Sequence, residues 1–181
     1  VSLLKIAALG TPVLRMRTQE LTIEQLQSEP IQRLIDDMVA TMRDAPGVGL
    51  AANQVYLPLR LAVVEVQAGD DQDSRERVPL TVLVNPRIAR LSDATESVWE
   101  GCLSIPDLRG VVPRATEVDV EALDRAGNPV TIHASGFFAR VLQHEIDHLD
   151  GYIYLDRMPD LTTLTYVKEF ERYWLPASSA S

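Results

Sequence analysis

Ile31, Leu34, Ile35, Met38, Val39 and Met42 recur at i, i+3, i+4, i+7, i+8 and i+11, so one face of a helix carries them all. Pro30 suits the first turn of that helix, and Asp44-Ala45-Pro46-Gly47 stops it. Phe137, Phe138, Val141, Leu142 and Leu149 give a second apolar stripe, with Ser135 placed to cap the helix and Gly151 to end it. A third helix is predicted behind Asp160 as its cap, with Leu161, Leu164, Val167, Phe170 and Trp174 on one face. Between these helices the period changes to that of strands. Residues 59–66 and 80–84 are rich in valine and leucine, Asn85-Pro86 breaks the second run, and residues 97–103 form a returning segment. Residues 117–123 and 130–133 alternate as a hairpin around 124–128, and residues 9–14 carry a turn signal. Such a mixture predicts an α+β fold, with antiparallel sheets around a central helix.

Composition narrows the class. A chain of 181 residues, 46% hydrophobic and 24% charged, supports one globular domain over 1–181 with 176–181 as a loose tail. No window has the length and apolarity of a membrane span, so no membrane association is expected. One cysteine forbids an internal disulfide and fits a reducing, cytoplasmic setting. A mitochondrial or plastid setting follows instead if Val1 is a trimmed mature end. The net charge of −9 argues against direct nucleic-acid binding, and the charged stretch 68–77 reads as a solvated loop.

Chemistry enters with His144-Glu145-Ile146-Asp147-His148, which lies on the second apolar stripe. Four helical residues turn about 400°, so the two imidazoles stand about 40° apart and can share a metal ion. Glu145 points beside them, where a carboxylate can take a proton from an activated water without being a ligand. Of the three histidines in the chain, two occupy this motif. Buried histidines merely satisfied by hydrogen bonds are the plainer alternative. A catalytic site of this kind needs a third protein ligand. His133 and Cys102 are the candidates, and Cys102 is preferred, since its thiolate binds such a metal far better than a thiol and the metal keeps it deprotonated. Tyr154 stands where a longer histidine motif would place its third ligand, which disfavours that class of protease.

Upstream, Gly47-Val48-Gly49-Leu50-Ala51-Ala52-Asn53-Gln54 is apolar yet poor in large side chains. Its small residues permit another backbone to approach, as an extended peptide adding to a strand edge requires, and Gln54 offers a neutral amide. A tight turn beside the core explains the same residues.

Three separated blocks resemble the peptide deformylases: Gly47 to Gln54, Glu100-Gly101-Cys102-Leu103-Ser104, and Gln143-His144-Glu145-Ile146-Asp147-His148. Their order and spacing match, and the likeness covers residues 9–158. Ala134 to Arg140 looks most like the mitochondrial-type branch, with Phe137 where that branch has tryptophan. The resemblance implies sheets around the metal-binding helix, and hydrolysis of the N-formyl group of N-formylmethionyl peptides to release formate. It implies one divalent ion on Cys102, His144 and His148, natively Fe(II), with Zn(II), Ni(II) or Co(II) as substitutes. Glu145 would be the base, with Gln54 and the Leu103 backbone N–H holding the oxyanion. The peptide would bind at Val48, Gly49, Glu100, Gly101 and Arg109, with its methionine among Val48, Val98, Phe137 and Val141. Arg140 falls beside that pocket, facing it or away from it. Glu100 and Arg114 either pair to support the Cys102 loop or stand as solvated charges.

The resemblance also implies a monomer in transient contact with the ribosome. In the last helix, however, Lys168 and Arg172 are outnumbered by Asp160, Glu169 and Glu171, which argues against docking through a basic helix. Two other readings fit the same helix: a metallo-endopeptidase, and a peptide-binding relative without catalysis.

Overall fold

The computed structural model describes residues 1–67 and 77–175, so the charged stretch expected as a solvated loop, apart from Arg77, and the tail 176–181 lie outside it. Along the chain come α1 (Ile23–Gln27), α2 (Glu29–Asp44), β1 (Gly49–Ala51), β2 (Leu61–Val66), β3 (Val78–Leu91), β4 (Thr95–Cys102), β5 (Ile105–Ala115), β6 (Glu117–Leu123), β7 (Pro129–Ser135), α3 (Gly136–Leu149), β8 (Thr165–Tyr166) and α4 (Val167–Tyr173). Five strands form an antiparallel sheet in the order β1-β2-β3-β6-β7, and three form another in the order β4-β5-β8. The expected α+β architecture is the observed one.

Strand β2 shows why α3 is central. Its side chains alternate between faces. Ala62, Val64 and Val66 pack with Ala139, Leu142, Ile146 and Leu149 of α3. Leu61 and Val63 instead join Ile35, Met38, Val39 and Met42 of α2. With both faces covered, β2 reads as an unbroken apolar run from Leu61 to Val64 rather than an alternating one, and Glu65 beyond it pairs with Arg43 at 2.6 Å. The second sheet closes over the other side of α3, where Cys102, Ile105 and Val112 pack with Ile153, Tyr154 and Met158.

Three expectations need correction. Asn85-Pro86 does not end its strand, because β3 continues to Leu91 after a register shift between Val84 and Arg87. Asn85 adopts a positive φ of 51°, and its amide both accepts from Leu21 N (2.9 Å) and donates to Leu21 O (2.8 Å). A side chain that can replace a strand partner turns the break into a bulge. Asp160 caps a turn at Thr162 rather than a helix, Thr165 and Tyr166 extend the sheet beside Leu108 and Arg109, and the helix starts only at Val167. Ser135 occupies the N-cap position of α3, yet its side chain makes no capping bond.

Candidate metal centre and its cleft

Helix α3 delivers His144 and His148 from inside the fold, and the end of β4 brings Cys102 against them. His144 Nε2 and His148 Nε2 are 3.2 Å apart, and Cys102 Sγ is 3.2 Å from His148 Nε2. The three donor atoms lie within 4.8 Å of one another and can hold a metal ion. His133, the other candidate, is 76% exposed on β7 and bonded to Asp119 at 2.9 Å, so it plays no part in the cluster.

The surrounding contacts fit a cation. His144 Nδ1 bonds Glu100 Oε2 at 3.0 Å, an arrangement that turns Nε2 toward the cluster. Burial resists charge on His144, but Cys102 and Glu100 outweigh it and hold its pKa well above the ordinary value. Burial, together with the charge on His144, pushes His148 the other way. Two imidazole nitrogens and a sulfur thus converge on one point, and all three are donors that borderline divalent ions accept.

Glu100 does not stand alone. Arg114 donates to both of its oxygens, at 2.8 and 3.0 Å, and a further arm of the same guanidinium donates to Asp147. Burial raises the Glu100 pKa, yet His144 and Arg114 together bring it down to about 2. Asp147 is also held by Arg157 at 2.6 Å. The Glu100–Arg114 pairing was one of two alternatives in the sequence. Asp147 was overlooked, although its place beside His148 was a usable signal.

Glu145 faces the same cavity. Its Oε2 is buried without a partner, and burial raises its pKa to about 7. Gly49 lies against it so closely that a Cβ there would sit 2.3 Å from Glu145 Oε1. The small side chains of this stretch thus serve the carboxylate as well as any incoming backbone. Gln54 accepts from Ala51 N at 2.9 Å, and its Nε2 lies 3.1 Å from Ser104 Oγ and 3.4 Å from Cys102 Sγ. Asn53, unremarked in the sequence, donates to the His148 carbonyl.

Of the residues singled out in the sequence, Val48, Gly49, Gln54, Glu100, Gly101, Cys102, Leu103, Arg109, Phe137, Val141, His144 and Glu145 line one cavity of about 520 Å³. His148 lies beneath it, fully buried. Val98 is not among the lining residues, whereas its neighbour Trp99 is. Val98 shares its face of β4 with Glu100, which does line the cavity. Val167 also lines the cavity, brought there because β8 pairs with β5. Arg140 lines it too, with its guanidinium bonded to Glu96 at 3.1 Å.

A metallohydrolase needs a converging donor set open to a cavity and a carboxylate that exchanges protons near neutrality, and this chain provides both. Comparison with known proteins makes the class specific. The family described as "Polypeptide deformylase" matches residues 3–163. Peptide deformylase 2 of Pseudomonas putida is 46% identical over 143 residues, covering 79% of this chain and 80% of that protein. The chloroplastic peptide deformylase 1A of Solanum lycopersicum is 43% identical over 165 residues, covering 86% of this chain but 60% of the longer tomato protein. Among solved structures, a class I type b peptide deformylase from Acinetobacter baumannii, with Met-Ala-Ser bound, superposes with a TM-score of 0.83 at 36% identity, covering 86% of this chain and 98% of that one. The chain belongs to the polypeptide deformylase family, metal-dependent hydrolases that remove N-formyl groups from nascent peptides. Its relatives include bacterial and plastid proteins, and no helix among the described residues is long and apolar enough to cross a membrane.

Proposed function

We propose that this cleft removes the formyl group from N-formylmethionyl peptides, with Glu145 as general base and then general acid. The observation that carries the reading is the unpartnered, buried Glu145 Oε2 beside three converging donors. Cys102, His144 and His148 would hold one divalent ion, which when bound supplies an acidified water and polarises the formyl carbonyl. The donor set suits Fe(II), Zn(II), Ni(II) or Co(II), and Fe(II) is the ion the family resemblance favours.

Glu145 takes the proton of the attacking water and returns it to the leaving amine, a task for which a pKa of about 7 is well matched. The Gln54 amide and the Leu103 backbone N–H donate to the oxyanion as it forms. Glu100 keeps the His144 ring oriented through Nδ1, and Arg114 keeps Glu100 ionised. Gly49 and Gly101 offer strand backbone to the peptide, whose methionine side chain lies among Val48, Phe137 and Val141.

The test is the size of the group removed. The recess beside Gln54, Leu103 and Glu145 admits a formyl hydrogen, whereas an acetyl methyl displaces the carbonyl by about 1 Å, worth about 10²-fold in rate. Formyl-Met-Ala-Ser is therefore expected to react at least about 10²-fold faster than acetyl-Met-Ala-Ser. Mass spectrometry that found cleavage at an internal peptide bond instead would make the protein an endopeptidase.

A further inference from the structure

Arg140 is a cleft residue to which this mechanism gives no task. It sits on α3 one turn before His144, lines the cavity, and has a side chain only 15% exposed. Its Nε is buried and has no partner, while one terminal nitrogen donates to Glu96 Oε2 at 3.1 Å. Glu96 belongs to β4 and is 59% exposed, so it meets the guanidinium from the solvent side and can leave it. Glu100, the other acid close to Arg140, is already committed to Arg114 and His144. Of the remaining acids in the lining, Glu145 is deep in the site, and Asp107 lies two positions from Arg109 in the same cleft.

Resting on the deformylation reading above, we propose that Arg140 determines specificity by binding a carboxylate side chain of the residues that follow the formylated methionine, exchanging Glu96 for it. A guanidinium presents a planar fork of donors matched to a carboxylate, and this one stands where the substrate passes. Glu96 shows that a carboxylate can reach it. The overall field cannot create such a preference, because a chain of net charge −9 attracts basic peptides. The preference must be local.

The experiment compares kcat/KM of the metal-loaded enzyme on formyl-Met-Asp-Ser and formyl-Met-Ala-Asp with that on the corresponding lysine peptides. The acidic peptides are expected to be favoured by about 5-fold at low ionic strength, within the range a partly screened ion pair supplies. The gain lies in KM, since the contact is the same in the ground and transition states, and it shrinks at about 0.5 M salt. Glu96→Gln, a change at an exposed position, raises the ratio by removing the competitor. Arg140→Met, which keeps the apolar stem, brings the ratio close to unity. A wild-type ratio near unity, a ratio unchanged in Arg140→Met, or a Glu96→Gln ratio at or below wild type overturns the proposal. An enzyme that leaves formyl-Met-Ala-Ser intact refutes the deformylation reading, and this one falls with it.

Discussion

Replacing Arg114 by methionine probes the support of the metal centre. The guanidinium is 6% exposed and lies between Glu100 at 5% and Asp147 at 11%, so its loss strands carboxylates with little access to water. Breaking a buried ion pair by removing one partner costs about 3–5 kcal/mol. Arg157 still compensates Asp147, at 2.6 Å, and His144 still bonds Glu100, which places this case near the lower end, at about 3 kcal/mol. In a domain of this size each kcal/mol moves the melting temperature by about 2–4 °C, so the loss is about 6–12 °C. A second effect is separate from stability. The His144–Glu100 bond persists but Glu100 itself is no longer clamped, so the His144 ring is held less firmly and metal affinity falls about 10- to 100-fold, as it does when such outer partners are removed. Thermal melts of the metal-free protein measure the first effect, and competition with a chelator at a temperature where both variants are folded measures the second. Adding Glu100→Met should restore part of the stability, because the stranded charge is gone, but none of the metal affinity. A melting temperature within about 2 °C of wild type, with unchanged metal affinity, refutes the reasoning.

Gly49→Ala is expected to fold but to lose at least about 10²-fold in turnover, because its Cβ would lie 2.3 Å from Glu145 Oε1 and one of the two must move; circular dichroism with steady-state kinetics checks both halves. Leu142→Ala, which empties a fully buried position between α3 and the five-stranded sheet, should cost about 2–5 kcal/mol by denaturant unfolding, and a loss below about 1 kcal/mol contradicts the packing described. Cys102→Ser should release most of the bound metal on dialysis. If the ion is Fe(II), peroxide should inactivate the wild type through the iron or this sulfur, and zinc substitution should slow that loss. Unchanged metal content in Cys102→Ser removes it from the donor set.

The sequence made the site more legible than the fold around it. Two imidazoles four residues apart on an apolar helix constrain each other through helical geometry alone, which is why His144, Glu145 and His148 could be read directly. Assigning Cys102 was harder, because nothing local links β4 to α3. The choice rested on thiolate chemistry and was strengthened by the resemblance of the other two blocks. What stayed hidden depends on contacts distant in sequence. Asn85 turns a strand break into a bulge only because Leu21 lies opposite it, 64 positions away. Val167 reaches the cleft only because two residues before it join the edge of β5, and a helical period read through 161–174 concealed that strand. For Arg114 the sequence left two alternatives, a pair with Glu100 or a solvated charge, and only the fold, which brings Glu100 and Asp147 from different elements around it, decides between them.

The central claim is that Glu145 moves protons and does not hold the metal. Glu145→Gln preserves shape while removing the exchangeable proton, so metal content and turnover should separate. Measured on one anaerobic preparation, the variant is expected to bind about one equivalent of metal, as the wild type does, while deformylation of formyl-Met-Ala-Ser falls by about 10²–10⁴-fold or more. A variant that keeps near wild-type turnover, or one that loses its metal together with its activity, contradicts the account.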